Sequence, residues 1–361
     1  MKLHCIIVSF NCRFMSTTST TTPILPTKST KVYVSTTDNP LFNLATEDWL
    51  FNHFDLSQQV LFLWRNKPTV VIGRYQNPFK ECHLQAMEKD GVVLARRYSG
   101  GGAVYQDHGN SIFTFLSATD DYDKKRNTGI IIDSLKPFII QAEASGRNDV
   151  LVDGKKVSGS AFKQSGKRSF HHGTMLINID ANSLAKYLNP NKEKLKSKGI
   201  TSVISRVCNL NTLSPTINHQ TWSQSIINSF EKQYNLKADI EELNTKDLEI
   251  IPSLKETFNK LSAWDWRFGN SPPFEHQFEK RFDWGIMDVN INCSKGIIEK
   301  IKIYSDALNP IMIEVLQESL IGMEYGKDGI TVGMDRAKNL MKGTDSEKEI
   351  EQLKQWLIDE I

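Results

Sequence analysis

The chain reads as an α/β protein of the α+β kind, with a large domain of mixed sheets followed by a small α+β domain. Three observations predict this. From residue 32 to about residue 266, apolar runs of strand length alternate with amphipathic helical stretches. Inside that alternation Asp153-Gly154 separates two β-like runs, the strongest short-range hairpin signal in the chain, so part of the sheet is antiparallel. Near residue 266 the texture breaks into Gly, Asn, Ser and two prolines, and a fresh hairpin and helix follow. A length of 361 residues suffices for two modest domains, each with its own core.

In order, "TTDNPLFNLATEDWLFNHF" predicts a helix with Asn39 as N-cap and Pro40 in the first turn. Phe42, Ala45, Trp49 and Leu50 fall on one side of it. "VLFLW" and "TVVIG", split by "RNKP", predict a strand pair. "PFKECHLQAMEKDG" predicts a helix that stops at Gly91, and "VVLARR" returns to strand. "AVYQD" and "SIFTFLS" flank "HGN" as another strand-turn-strand unit, and a helix is expected over 128–144. The Asp153-Gly154 hairpin and the strand "HHGTMLINID" complete the large domain. "WDWRFGNSPPFEHQF" predicts the linker. Beyond it, "DVNINC" and "IEKIKIY" form a hairpin about Ser294-Lys295-Gly296. Ile350, Leu353, Leu357 and Ile361 make one face of a last helix. The segmentation is therefore a leader at 1–31, a large domain at 32–266 and a small domain at 275–361.

Composition excludes some functions. A formal net charge of +2 with no basic run argues against a nucleic-acid partner. No apolar run approaches the ~20 residues of a membrane span. Five scattered cysteines without a CxxC pair argue against a disulfide framework or structural zinc, and a reducing compartment fits. The first acidic residue is Asp38, preceded by Lys2, Arg13, Lys28 and Lys31 among many Ser and Thr, the composition of a mitochondrial transit peptide. A secretory signal, an untargeted cytoplasmic tail and initiation at Met15 are the competing readings. Without residues 1–31 four positive charges and no negative ones are lost, and the net charge becomes −2.

The chemistry centres on "ARRYSGGGAVYQDHGN". Three successive glycines form either a tight turn or a backbone that a ligand can approach closely. Arg96 and Arg97 point to opposite sides of a strand, so one can face a pocket, and guanidinium beside open amides suits a phosphate. Neither common phosphate fingerprint, G-x-x-x-x-G-K-[ST] or G-x-G-x-x-G, is present. In "NDVLVDGKKVSGSAF", strand alternation puts Lys156, Ser158 and Ser160 on one face and Val157, Gly159 and Ala161 on the other. A lysine reaching over small residues marks an open floor, though a solvated edge lysine reads the same. Asn148 and Asp149 offer polar groups to a ribose, a carboxamide or Mg²⁺, or serve structure alone. His171 and His172 point to opposite faces and are read first as turn or core residues. No Ser-His-Asp order is evident, and no cysteine has a setting that activates it.

Taken together, "FNLATED", "VLFLWRN", "TVVIGRYQNPFKEC", "LARRYSGGGAVYQDHGN", "EASGRNDV", "KKVSGSAF", "FHHGTMLIN", "YLNPNKEKLKSKGITSVISRV" and "DALNP" resemble the lipoate-protein ligase family, most of all its bacterial ligase A and mitochondrial lipoyltransferase members. The resemblance implies a biotin/lipoate-ligase-type catalytic domain with a small accessory domain, acting as a monomer. It implies that lipoate's carboxylate attacks the α-phosphate of ATP, with Mg²⁺, to give lipoyl-AMP and pyrophosphate, and that a carrier lysine then takes the acyl group as an amide. By the same pattern Arg97 and the backbone of Gly102, Ala103, Val104 and Tyr105 hold the nucleotide. Lys156 contacts both acyl carbonyl and phosphate. Trp64, Gly101 and Arg74 belong to the lipoate pocket, and Asp149 serves Mg²⁺ or orients Lys156. The implied partners are apo lipoyl domains: the glycine-cleavage H protein and the acyltransferase subunits of the 2-oxo acid dehydrogenases. Gln106 and Tyr98 depart from the bacterial pattern, standing where a histidine and a small residue are frequent. A lipoyltransferase that uses preformed lipoyl-AMP or a lipoylated carrier is the alternative. A non-catalytic relative, a biotin ligase and a transferase with a cysteine nucleophile at Cys208 are further readings.

Overall fold

The computed structural model describes residues 29–74, 76–146, 148–188, 207–269, 274–305, 307, 309–344 and 346–361. The leader before Ser29 and most of "YLNPNKEKLKSKGITSVISRV" lie outside the described residues, as do Asp306 and Leu308 of "DALNP".

Each element ends where its sequence stops supplying partners. The order is β1 (Ser29–Ser35), α1 (Pro40–His53), β2 (Gln58–Trp64), β3 (Thr69–Ile72), α2 (Pro78–Glu81), α3 (Leu84–Lys89), β4 (Val93–Arg96), β5 (Val104–Gln106), β6 (Asn110–Ala118) and α4 (Lys124–Asp133). Then come β7 (Glu143–Ser145), β8 (Asp149–Val152), β9 (Lys155–Ser165), β10 (Arg168–Leu176), α5 (Ala181–Tyr187), α6 (His219–Tyr234), β11 (Ala238–Leu243), α7 (Asp247–Ile250) and α8 (Pro252–Ser262). The small domain holds β12 (Phe274–Phe282), β13 (Gly285–Ser294), β14 (Ile297–Ser305), α9 (Pro310–Leu320), α10 (Lys327–Leu340) and α11 (Ser346–Glu360).

Residues 29–31, expected in the leader, belong to strand β1. Lys31 lies in β1 and pairs with Asp239 and Glu241 of β11 at 2.5 and 2.8 Å. Asn39 caps α1 as expected, its side chain accepting from the amides of Leu41 and Phe42.

Eight strands form one sheet in the order β11-β1-β2-β6-β10-β9-β8-β7, and three form a second, β4-β3-β5. β1 runs parallel to β2 and β11, and the other pairs of the large sheet are antiparallel. Two expected hairpins therefore do not exist. "VLFLW" does not pair with "TVVIG", because β1 and β6 occupy both edges of β2. "AVYQD" does not pair with "SIFTFLS", because β6 lies between β2 and β10 while β5 joins β3 in the smaller sheet. The Asp153-Gly154 and Lys295-Gly296 hairpins do form, with φ of 50° and 72° in the first and 53° and 76° in the second, as a two-residue type I′ turn requires.

The helix expected over 128–144 runs over 124–133 instead, since the Asp123 side chain caps it and Pro137 bars its extension. The helix expected over 78–91 breaks at Cys82, which bridges to Leu188. Part of the expected linker, "FEHQF", is strand β12.

The large sheet is covered on both faces. Phe113, Phe115, Val150, Val157 and Met175 pack beneath Ile130 and Ile131 of α4 and Trp222, Ile226 and Phe230 of α6. On the other face Phe62, Trp64, Ile112, Leu116 and Phe170 meet Phe42, Ala45, Leu50 and Phe51 of α1, with Leu254 and Leu261 of α8 behind. In the small domain one face of β12-β13-β14 packs on α9, α10 and α11. Ile350, Leu353 and Leu357 are fully buried there, and Ile361 packs at the edge of that core. Contacts between the domains include Phe79 of α2, edge-on to Tyr325 with ring centroids 5.0 Å apart, Lys327 paired with Glu88 at 2.5 Å, and Gln85 Nε2 donating to the Asp359 carbonyl.

Candidate active site

Registry across the large sheet sets the site. On the α1 face, Trp64, Ile112, Thr174, Gly159 and Asp149 fall in one row across five strands. Thr114, His172 and Ala161 form the neighbouring row. The first row is small in its middle, and the second carries the buried polar groups.

Lys156 reaches this face through a bulge. Asp149 pairs with Gly159 and Val150 with Ser158, but Leu151 pairs with Lys156, so Val157 is the extra residue. The bulge overturns the expected alternation. Lys156 shares the face of Gly159 and Asp149, while Val157 and Ser158, each 0% exposed, turn into the core. Lys156 Nζ lies 2.7 Å from Asp149 Oδ1, each side chain about a third exposed. A Cβ at position 159 would fall 2.6 Å from that amine, so glycine there makes room for the ammonium. The amide of Cys208 donates to the Lys156 carbonyl at 2.9 Å and ties the lysine to the segment beyond 206.

The glycine loop joins β4 to β5. Gly100, Gly101 and Gly102 are exposed, and Gly101 has φ of +94°, which favours glycine. Nothing lies within 4 Å of a Cβ on Gly100 or Gly102, whereas one on Gly73 would strike the Gly101 carbonyl oxygen at 2.2 Å. Glycine at 73 thus lets the loop seat and the other two leave its outer side open.

Both arginines are buried, contrary to one facing a pocket. Arg97 donates from Nη1 to the Val71 carbonyl at 3.0 Å, from Nη2 to the carbonyls of Gly100 and Gly102 at 2.7 and 2.9 Å, and from Nε to Ser99 Oγ at 3.0 Å. Its guanidinium holds the loop and does not stand open beside it. Burial lowers its pKa to about 10, with the charge of Glu47 opposing. Arg96 donates to the carbonyls of Gly73, Arg74 and Gln76 and to those of Trp266 and Arg267. One side chain therefore fastens the segment under the glycine loop to the segment entering the linker.

The other expected residues sit as follows. Trp64 is 1% exposed and stacks on Phe62 within the core under α1. Tyr105 packs its ring on Tyr187 and leaves its backbone on β5, an edge of the smaller sheet. Ala103 and Val104 are half-buried beside it. Arg74 lies over the Trp266 ring at 4.3 Å, toward the linker. Among the described residues no group of three or more His, Cys, Asp or Glu could hold a metal ion, and Asp149 is engaged with Lys156. The ion pair with Lys156 fits a role for Asp149 in orienting that amine. Gln106, one of the departures, is buried and accepts from Asn66 at 2.8 Å.

Sequence reasoning missed one cluster. Glu47 of α1 accepts from Thr114 Oγ1 at 2.6 Å and meets His172 Nδ1 at 2.8 Å, and His172 Nε2 meets Ser99 Oγ at 2.7 Å. His171 is core as expected: 1% exposed, caged by Phe113, Phe115 and Phe162, neither ring nitrogen partnered, its pKa lowered to about 3 by burial and then by the charges of His172 and Lys124. The available signal was Glu47 on a helix with ten of its fourteen residues buried, a pattern visible only once the helix has two neighbours.

An ammonium held by a carboxylate over a glycine, on the sheet face that also carries Trp64, is an arrangement that can offset negative charge developing in acyl transfer. Comparison narrows the reading. Residues 39–231 match the lipoyl protein ligase A/B catalytic domain, and residues 271–357 match the bacterial lipoate protein ligase C-terminus. The lipoate-protein ligase A of Psychrobacter cryohalolentis is 47% identical over 92% of this chain and 98% of its own length. That of Bdellovibrio bacteriovorus is 46% identical over the same shares. The crystal structure of P. falciparum LipL1 in complex with lipoate superposes with a TM-score of 0.61 at 32% identity, covering 92% of this chain and all of that one. The archaeal lipoate protein ligase from Thermoplasma acidophilum, studied with its E2 lipoyl domain, gives 0.60 at 26% identity over 67% of this chain and 97% of that one. The chain belongs to the lipoate-protein ligase family.

Proposed function

We propose that this ligase joins lipoate to ATP as lipoyl-AMP and passes the lipoyl group to a lysine of apo lipoyl domains. The observation that carries the reading is Lys156, held by Asp149 over Gly159. An ammonium at that point offsets negative charge on the α-phosphate as the carboxylate attacks, and on the acyl oxygen as the carrier amine attacks. The exposed amides of the Gly100–Gly102 loop, set by Arg97 from beneath, suit the nucleotide. Trp64 and Ile112 give the dithiolane chain an apolar wall. Mg²⁺ enters with the ATP phosphates, where it neutralises their charge.

The H protein and the acyltransferase subunits of the 2-oxo acid dehydrogenases are the proposed carriers, consistent with the E2 lipoyl domain of the archaeal relative. Mitochondrial targeting is proposed from the acid-free, Ser/Thr-rich sequence before Asp38. Imaging residues 1–40 fused to a fluorescent protein tests it, and a diffuse cytoplasmic signal would reject it.

The test of the reaction is lipoate-dependent release of pyrophosphate from ATP by the purified protein, followed by addition of apo H protein. Release with subsequent lipoylation supports the full ligase. No release, with lipoylation from added lipoyl-AMP, makes the protein a transferase instead.

A further inference from the structure

A cleft of about 490 Å³ opens at the α6 side of the large sheet, away from the face that carries Lys156. Arg65, Asp107, Asn178, Ile217, Asn218 and His219 are among the residues that line it. Its place follows from two contacts. Ser111 neighbours Ile112 on β6 and so points to the opposite face, where its hydroxyl meets His219 Nδ1 at 2.8 Å. Ile177 and Ile217, the apolar wall of the cleft, belong to the core between the sheet and the helices α4 and α6.

Around this cleft the charged and backbone acceptors are already used. Asp107 accepts from the amides of Gly109 and Asp180 at 2.8 and 3.2 Å, and His108 is paired with Asp38 at 2.8 Å. The Gly109 carbonyl takes the amides of Ile177 and Asn178, and the Ile177 carbonyl takes that of Asn211. Donors are left over. Arg65 is exposed, and among the described residues its guanidinium has no hydrogen-bond or ion-pair partner. The 16-residue helix α6 starts at the cleft, and its cap Asn218 serves the amide of Thr221. The amides of His219 and Gln220, the first two of the helix, therefore lack acceptors at its positive end. Burial, and then the charge of Arg65, push the His219 pKa down to about 4, which places the guanidinium near that ring and keeps the ring neutral at pH 7.

We propose that this cleft is a second ligand site, apart from the reaction, for a small phosphate monoester. Arg65 and the first amides of α6 take the phosphate, and Ile177 and Ile217 take a compact apolar body. A doubly charged oxyanion suits a site whose unused groups are a guanidinium and a helix N-terminus. The volume is that of a small-molecule site and exceeds what phosphate alone fills, and the isoleucines offer the remaining wall to carbon.

Phenyl phosphate and inorganic phosphate are titrated by calorimetry into the purified full chain, with and without a non-hydrolysable sulfamoyl analogue of lipoyl-AMP to fill the reaction site. Phenyl phosphate should bind saturably, more tightly than inorganic phosphate, and equally well with the analogue present. Arg65→Gln should weaken it by about tenfold or more, as loss of a charge-assisted contact does. Asn178→Asp puts a carboxylate in the cleft and should weaken it too. Both side chains are exposed, so both variants should melt with the unaltered protein. Affinity unchanged in both variants overturns the proposal, as does binding that disappears once the analogue is present. Benzoate bound as tightly as phenyl phosphate, or no binding by the unaltered protein, overturns it as well.

Discussion

Lys156 Nζ and Asp149 Oδ1 sit 2.7 Å apart only because one extra residue, Val157, bulges out of the strand between Lys156 and Gly159. In a regular strand Lys156 would point into the core on the opposite face. The pair fixes where the ammonium stands, and three predictions follow from its geometry.

Lys156→Ala should lower transfer from lipoyl-AMP by at least ~10²-fold, the usual loss when a charge-stabilising donor is removed. Its melting temperature should stay near that of the unaltered protein, because a pair this exposed contributes little to stability. Lipoylation rate and thermal melt, measured together, decide it; a folded variant that still transfers at full rate removes Lys156 from the chemistry.

Asp149→Asn separates two roles for the carboxylate. If Asp149 orients Lys156, transfer from preformed lipoyl-AMP slows by roughly 10-fold even with EDTA present, as misplacement of a catalytic group does. A defect confined to the ATP-dependent step would assign Asp149 to Mg²⁺.

Gly159→Ala puts a methyl 2.6 Å from the Lys156 amine and 2.7 Å from its Cε. The far end of a lysine can move, so stability should fall by no more than about 0.5 kcal/mol, the range of a surface change. The displaced ammonium should cost most of the transfer activity. An active Gly159→Ala protein would show that the amine's position is not critical.

His171 makes stability depend on pH. Its folded pKa, lowered to about 3 by burial, lies below the ordinary value of about 6.5 that the unfolded chain keeps. Below that value the unfolded chain takes up a proton that the folded one refuses. The His171 contribution is therefore complete above pH ~6.5 and falls by up to ~1.4 kcal/mol per unit as pH drops toward the folded pKa. His171→Phe, placed among Phe113, Phe115 and Phe162, should flatten the urea midpoint between pH 6 and 4. An unchanged slope would mean that His171 is protonated in the fold.

Arg96→Lys keeps the charge and loses the fork that reaches five carbonyls. Orphaned buried carbonyls cost about 1–3 kcal/mol each, so unfolding free energy should fall by roughly 3 kcal/mol. Limited proteolysis should cut first near residues 265–275. A variant as protease-resistant as the parent would show that the linker is held by other contacts.

Much of the site was legible in the sequence because local chemistry decides it. Asn39 followed by proline starts α1, Asp153-Gly154 makes its hairpin in any context, and Gly100–Gly102 form an open loop because no side chain closes it. The resemblance supplied the family, whose catalytic and C-terminal descriptions match residues 39–231 and 271–357. Elsewhere local pattern misled. "VLFLW" and "TVVIG" read as neighbours, but edge pairing is decided by strands far along the chain, and β1 and β6 had already taken both sides of β2.

The sequence by itself singled out the candidate residues, the lysine, the glycines and the arginines, together with the turn and cap residues whose backbone preferences are intrinsic. Only the tertiary structure decided how they face. It buried Arg96 and Arg97 against backbone carbonyls, turned Lys156 onto the face of Asp149 and Gly159 through a bulge, and joined Glu47, His172 and Ser99 from three distant segments. The physical reason is that side-chain direction and buried hydrogen bonding depend on partners brought together by folding, while local preference acts only between near neighbours in the chain.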